Sequence, residues 1–412
     1  CSECSAYSFK LYGAWWGVLK RKGRLGRNAK WLLVTELGWS IPMPSVFYYQ
    51  ALYMTALGFR EVEYGLLMSV SRGFSILAPL TAVPVASRLG FKRAFLVLDL
   101  LANVGILSPL IIGKRELLPL AFVASSLLSA SGILWEVLLV TGTDEEALVT
   151  AYSIPSVIYI AGSSLPPLAG MVMERMGIVE GYRLVAFAAL ASFLAKTAVL
   201  ALALEEPREG THREGVSRPR FTRSIKAVLS DRSASMLLLY FVLSSILYSV
   251  FGYLSLYLHD ERGARMSVEE AGFVSTISSV VSLLAVLTVT VRPPNPLRYL
   301  ILSAAAGSLA YTLFSLSSVV PRLAFAAAAL SGLRGAEFSV SRALFIALLG
   351  GGAVERGHAI TLSYTLSSIV SVPAPALAGL LYSFHPVTIW LLALAATLTQ
   401  IATLAMLGKT RQ

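Results

Sequence analysis

Of the 412 residues, 56% are apolar and only 14% are charged, with a mean hydropathy of +0.71. A soluble domain of this composition would expose large apolar patches to water, so the bilayer is the solvent the chain requires. The formal charge of +11 then reports topology and contact with anionic lipid headgroups, not nucleic-acid binding.

Apolar runs recur along the whole length, each near the roughly 17–25 residues a helix needs to cross about 30 Å of hydrocarbon. They predict an all-α integral membrane protein with twelve spans, near 31–57, 65–87, 94–113, 119–141, 148–172, 183–204, 235–258, 268–291, 298–319, 322–349, 357–382 and 386–407. Lipid offers no partner for an unpaired backbone group, which forces helices, and the alternating ten-residue segments of a barrel are missing.

The first 30 residues form a basic tail containing both cysteines, Cys1 and Cys4. No second pair or nearby His completes a metal or redox site around them, and two cysteines cannot scaffold a fold. Residues 7–20, with Tyr12, Trp15 and Trp16 ahead of the basic run, suit a helix lying in the headgroup plane. The first span contains Glu36 and the aromatics Phe47, Tyr48, Tyr49 and Tyr53, and the second contains Arg72. The third follows the basic segment Arg88, Lys92 and Arg93 and contains Asp99; the fourth contains Glu136. In the fifth, Gly162, Pro166, Pro167 and Gly170 predict a kink and a close helix approach, because Pro opens the backbone ladder and Gly removes bulk. Lys196, in the sixth, has no acid that the sequence assigns to it.

Residues 205–234 break the apolar pattern with Pro207, Pro219 and many charges, and read as a basic connector. Beyond it, the seventh span is rich in tyrosine, including Tyr240, Tyr248, Tyr253 and Tyr257, and the tenth contains Arg334, Glu337 and Arg342. Most of the 34 Lys and Arg fall on the side of the N-terminal tail and connector, so the positive-inside rule predicts cytoplasmic termini for a multi-pass protein of the cell membrane, with residues 408–412 as a short cytoplasmic tail.

The blocks 31–204 and 235–407 hold six spans each, and one fixed offset aligns Glu146 with Glu355, Pro166 with Pro375, and Leu168-Ala169-Gly170 with Leu377-Ala378-Gly379. Internal repetition at equivalent spans marks two pseudo-symmetric halves.

In these features the chain resembles the major facilitator superfamily over essentially all of residues 31–407. The loop after the second span matches that family's basic motif at Arg88, Gly90, Lys92 and Arg93, whereas Val83 stands where the family has Gly and Ser87 where it has an acid. The fifth span resembles the family's antiporter motif at Gly162, Pro167 and Gly170 and departs from it at Pro166; Gly181-Tyr182-Arg183 is similar to a junction common there. The resemblance implies two six-helix bundles with spans one, four, seven and ten lining a central cavity.

A charge in mid-span costs about 2.5–3.5 kcal/mol, so each is a functional candidate by default. Arg334 and Glu337 lie three residues apart on one helix face and either neutralise each other or bind a polar solute or proton. Arg342 is expected to meet Glu36 or Glu136 across the halves; Glu136 alternatively pairs with the Arg88–Arg93 cluster. Asp99 reads as a structural partner, and Arg72 either attracts an anionic group or snorkels to the outer interface. Tyr48, Tyr49 and Tyr248 are the aromatic candidates for a cavity wall.

These features predict a secondary active transporter of a small organic solute, monomeric, coupled to protons and leaning to export of amphipathic compounds, with uptake of a sugar, organic acid or other metabolite as the alternative. No phosphate-binding loop is present to drive it by ATP, and the six-plus-six organisation without a coupling motif counts against a permease subunit of a separate ATPase. An intramembrane lipid enzyme would need a reactive cluster, and His212, His259, His358 and His385 are scattered, so no catalytic residue, metal or cofactor is expected.

Overall fold

The computed structural model describes residues 23–207, 231–292, 294–349, 368–369 and 371–409. Cys1, Cys4, residues 7–20, connector residues 208–230 and residues 350–367 with Glu355 lie outside them, as do the side chains of Val83 and Glu146.

Every regular element among the described residues is helical. The first part of the chain forms α1 (Arg27–Thr35), α2 (Leu37–Ser40), α3 (Met43–Ala56), α4 (Glu61–Leu89), α5 (Phe91–Ile112), α6 (Leu118–Ser125), α7 (Leu127–Val140), α8 (Glu145–Gly162), α9 (Pro166–Met176) and α10 (Ile178–Ala203). The second part forms α11 (Arg232–Phe251), α12 (Leu254–His259), α13 (Val268–Val291), α14 (Pro296–Leu316), α15 (Leu323–Gly332), α16 (Glu337–Leu349), α17 (Pro373–Phe384) and α18 (Thr388–Lys409).

Among the described residues, nine helical segments are long and apolar enough to cross a membrane. Three of the predicted spans fall outside those nine. The first is interrupted at Glu36 and again at Ile41–Pro42; the second is the single 29-residue α4; the eleventh is described only from residue 368. Interruptions also divide the fourth span at Ser126, the fifth at 163–165, the seventh at Gly252–Tyr253 and the tenth at 333–336. The first break has a local cause: Pro42 and Pro44 supply no amide hydrogen, so the turn before them cannot continue as a regular ladder. Glu36 and Ser126 keep helical φ and ψ, so the interruptions there are local irregularities within continuous helices.

Contacts between connections fix the direction of each helix. Arg24 and Gly26 bond Asp144 and Thr143, and Asn28 bonds Glu205, which gathers one set of helix ends at a face called proximal here. Tyr53 donates to the Leu110 carbonyl and Arg115 to Glu63, which gathers the opposite ends at a distal face. In the second part, Tyr382 donates to Asp260 and Tyr257 to the Phe314 carbonyl at the same distal face, where Arg262 also bonds Glu61. Helix starts are capped where they leave the bilayer. Ser267 and Glu270 exchange bonds at the start of α13, Asp231 accepts from two amides of α11, and Asn295 accepts from two of α14.

The buried core is divided unevenly. One cluster, containing Tyr49, Tyr53, Tyr182, Tyr253, Tyr257, Tyr311 and Trp390, draws on both parts of the chain toward the distal face. Toward the proximal face there are two clusters: one built only from residues between Ala29 and Leu204, the other only from residues between Ala234 and Leu407. Among the described residues, the two parts thus share one core distally and have separate cores proximally.

Candidate functional site

The distal seal consists of two tyrosine clasps. Tyr49 on α3 donates to the Val268 carbonyl at the start of α13, 2.8 Å away, and to the Pro166 carbonyl at the start of α9, 3.1 Å away. Tyr253, just before α12, donates to the Glu61 carbonyl at the start of α4 and to the Pro375 carbonyl in the first turn of α17, each at 3.2 Å. Each clasp closes over two glycines. A Cβ on Gly170 would lie 2.8 Å from both the Tyr49 hydroxyl and the Val268 carbonyl oxygen, and one on Gly272 would lie 2.6 Å from Pro167 Cα. At the other clasp, a Cβ on Gly379 would lie 2.6 Å from the Glu61 carbonyl oxygen and from the Tyr253 hydroxyl, and Gly65 meets Pro375 the same way. The roles of the two parts are exchanged between the clasps, as a two-fold pseudo-axis requires.

Two buried ionic clusters lie deeper in the helices. In the second part, Arg334 donates through Nε and Nη2 to both oxygens of Glu337, at 2.5 and 2.9 Å, through Nη1 to Tyr311 at 2.9 Å and through Nη2 to Gln400 at 3.1 Å. The Gln400 amide is wholly buried and spends its own hydrogens on Ser244 Oγ and the Tyr240 carbonyl. Gly307 leaves the space for this fork, since a Cβ there would stand 2.6 Å from Arg334 Nη1. One acid faces one base, and the cluster is neutral.

In the first part, Lys196 Nζ lies 3.6 Å from Glu36 Oε2, while Ser40 donates to Glu36 Oε1 at 2.7 Å. Asp99 is buried within electrostatic range of both Lys196 and Glu36 and bonds Ser131. Asn103 donates to Asp99 Oδ1 at 3.2 Å and accepts from Trp39 Nε1 at 2.9 Å. Two acids face one base. Glu36 thus takes its cation from α10 of its own half, which corrects the expected pairing of Glu36 with Arg342 and gives Lys196 the acid that the sequence did not assign.

The sequence model for the Major Facilitator Superfamily matches residues 31–344. The chain belongs to that superfamily. Among curated proteins, none matches it by sequence. Solved structures similar to it include a mutant of the nucleoside transporter NupG, with TM-score 0.74 and 14% identity over 93% of this chain and 100% of that one. A bacterial homologue of the human lysosomal transporter Spinster, in an inward-facing unoccupied conformation, gives TM-score 0.62 at 14% identity over 92% and 95%. A POT family transporter in complex with 5-aminolevulinic acid gives 0.64 at 12% over 92% and 95%. At such identities the likeness is one of fold. As a member of the superfamily, the chain is a multi-pass membrane transporter.

In the superfamily fold, the remaining candidate residues divide between those in the seal and those outside it. Tyr49 is wholly buried in the seal, and Tyr48 bonds the Ala271 carbonyl there and packs edge-on against Tyr49. Both belong to the seal, not to a cavity wall, because their hydroxyls are taken up by carbonyls of the opposite half. Tyr248 is 66% exposed and lies within electrostatic range of Glu337, Arg334 and Arg72, the last from the opposite half. Tyr159 lies within range of Tyr248 and stacks on Trp39 with ring centroids 6.2 Å apart. Arg72 and Glu136 are both exposed, and among the described residues neither has a hydrogen bond or ion pair. Arg72 instead lies within range of Tyr64 and Tyr248, and Glu136 within range of Tyr152, 42% exposed on α8. Glu136 therefore does not pair with the basic Arg88–Arg93 segment. Arg342 lies over the rings of Phe241 and Phe338, 5.0 and 5.5 Å from their centroids.

The kink motif has two measurable effects. Pro166 and Pro167 start a new helix, α9, after a three-residue break. The carbonyls freed at the break, of Ser163 and Ser164, accept from Ser275, Ser279 and Thr276 of α13 at 3.1, 3.0 and 2.7 Å. Gly162 allows α8 to touch the first span, since a Cβ there would collide with the Ser40 carbonyl.

In the basic loop, Arg88 and Arg93 are exposed, and Lys92 donates to the Leu204 carbonyl at 2.6 Å. Glu206 accepts from the amides of Phe91 and Lys92 at the start of α5, beside Gly90 with its φ of +83°. A carboxylate there also suits the positive end of the helix dipole. The sequence missed Glu206, Gln400, Tyr311 and the clasp role of Tyr253. The repeat gives no signal for Tyr253, because the offset that aligns Pro166 with Pro375 carries Tyr49 to Leu258.

Proposed function

We propose that this protein moves a small organic solute by alternating access, with twelve spans in two bundles, residues 31–204 and 235–407, rocking about the distal clasps, and residues 205–234 joining them. The reading is carried by one observation: a single core joins the halves distally and two separate cores lie proximally. Lys and Arg concentrate at the proximal ends, so the proximal side is cytoplasmic, both termini lie there, and the present conformation opens to the cytoplasm of a cell membrane. The protein works as a monomer.

The solute meets Trp39, Tyr159 and Tyr248 as an aromatic surface, with Arg72 and Glu136 as its two charged contacts. Exposed aromatic faces beside single charges favour amphipathic compounds with a planar part. The broken fifth span, which packs against α13 through its freed carbonyls, supports a lean to export in exchange for protons. A second reading, uptake of an organic acid or other metabolite, is supported by Arg72, whose guanidinium presents donors to an anionic group.

The test is solute and proton movement in sealed proteoliposomes, with labelled amphipathic cations, nucleosides, sugars and organic acids offered in turn. Proton flux that needs one compound class, and a loss of solute binding in Tyr248→Ala and Arg72→Gln, is expected. Solute movement without proton flux would leave alternating access standing and remove proton coupling. No movement of any class would sink the reading.

A further inference from the structure

We propose that Glu36, Asp99 and Lys196, two acids and one base buried close together in the N-terminal half, form a site that takes up one proton. The site deepens the proton-coupled reading and rests on it only for its use in transport.

The argument begins with charge. All three groups are buried, Glu36 at 7%, Asp99 at 8% and Lys196 at 7% exposure, so water screens none of them effectively. With every group in its ordinary ionisation state, the cluster holds one uncompensated negative charge inside a helix bundle, which a low-dielectric interior strongly disfavours. One proton removes it. The neutral Arg334 and Glu337 pair offers no such vacancy, because its one acid is saturated by a guanidinium that does not give up its proton at biological pH.

The groups around the site leave the balance intact. Helix α7 brings Ser131 to Asp99, and its carboxylate, Glu136, is exposed toward Tyr152. Arg72 of α4 lies within electrostatic range of Tyr64 and Tyr248, and Tyr159 of α8 within range of Tyr248. At the proximal rim Arg27 bonds Glu205, and Lys92 bonds the Leu204 carbonyl. Of the charged groups, those acting on Asp99 are Lys196 and Glu36. A sodium ion is the competing occupant, but the ammonium of Lys196 already supplies a fixed cation at the carboxylates.

Position gives the proton a mechanical use. Glu36 sits at the irregularity between α1 and α2, and the short α2 is held by Ser40 to Glu36, by Trp39 to Asn103 and by Ser192 to the Gly38 carbonyl. A Cβ on Gly38 would stand 3.1 Å from Lys196 Cβ, so the Lys196 backbone and α2 are in close contact. Loss of the proton leaves a net charge at this joint, strengthens the pull of Lys196 on both acids and changes the forces on the segment that bends when the halves rock. The proton passes from the site to water, and no other bond is made or broken.

Infrared difference spectroscopy on the purified full chain in lipid nanodiscs reads the proton without any solute. A protonated-carboxyl C=O band that shifts in heavy water and disappears as pH is raised is expected from the wild type, without sodium. Asp99→Asn and Glu36→Gln should each abolish it, because one remaining acid is then matched by Lys196. Lys196→Gln should strengthen it about twofold. Where the amide variants do not fold, Asp99→Glu serves instead, and the band should persist at a shifted frequency. A band untouched by these variants, one lost in Glu337→Gln, or one displaced by sodium in place of protons would overturn the site. Because the band needs no solute, its presence in a protein that moves nothing would separate failure of the transport reading from failure of this one.

Discussion

The two halves of the molecule are alike in their clasps and unlike in their buried charges. At the distal face, Tyr49 with Pro166, Val268 and Gly170 has its counterpart in Tyr253 with Pro375, Glu61 and Gly379. In the interior, one half holds a neutral pair of Arg334 and Glu337 whose donors are nearly all used, and the other holds Lys196 paired with Glu36 and a second buried acid, Asp99, within electrostatic range. Symmetry is kept at the distal clasps and is absent in the buried charge clusters. The difference teaches that the contacts joining the halves and the charges buried within each half are set independently.

The largest break in this comparison should come from Arg334→Gln. It leaves Glu337 buried without its cation, and losing one partner of a buried pair costs about 3–5 kcal/mol. Thermal unfolding in nanodiscs should show this loss, with most of it restored in the Arg334→Gln, Glu337→Gln double variant. Lys196→Gln in the other half should cost less, since the two acids can take up a second proton, and its cost should shrink on acidification. Equal and pH-independent losses in the two halves would contradict the distinction between them.

These clusters also show how far the sequence could be read. The helical class, the repeat around Pro166 and Pro375, and the pairing of Arg334 with Glu337 were legible, because each depends on spacing within one helix or on composition over a span. The partner of Lys196 was not, because Glu36 and Asp99 come from helices far apart in sequence and their meeting depends on helix rotation. Tyr48 and Tyr49 were read as cavity residues from their chemistry, but which face of α3 they occupy depends on where Pro42 and Pro44 break the first span. Glu206 caps the start of α5 from beyond the end of α10, a contact across the fold that no local motif reveals.

A mid-sized effect should follow from filling the close contacts. Gly162→Val pushes α8 away from the Ser40 carbonyl, next to the N-terminal charge cluster, and Gly379→Val pushes α17 from α4 at the clasp. Overpacking of this kind costs about 1–3 kcal/mol. Both variants should lower the unfolding temperature, and only Gly379→Val should open the distal face, seen as faster labelling of a cysteine placed at Arg262.

The clasps themselves should each contribute less. An interhelical hydrogen bond in a membrane protein averages about 0.6 kcal/mol, so Tyr49→Phe or Tyr253→Phe should shift the closed-to-open ratio of the distal face about threefold. Spin-label distances across that face measure it. Equal shifts from the two variants, and their product in the double variant, are expected of two equivalent clasps; a shift from only one would make the pseudo-symmetry geometric without being energetic.

The smallest effect belongs to the exposed ion bridge on the same face. Arg262 lies 3.1 Å from both Glu61 and Asp260, and its side chain is 49% exposed. The bond to Asp260, with Glu61 adding its charge, holds the guanidinium above its ordinary pKa, so its charge is constant across biological pH. Solvent and salt still screen the bridge, and exposed pairs contribute at most about 1 kcal/mol. Arg262→Gln should therefore loosen the distal face only slightly at low salt and not measurably at high salt, whereas the tyrosine variants should shift it equally at both. A salt-dependent tyrosine effect would mean that the clasps act through the Glu61 and Asp260 charges beside them and not through their own carbonyl bonds.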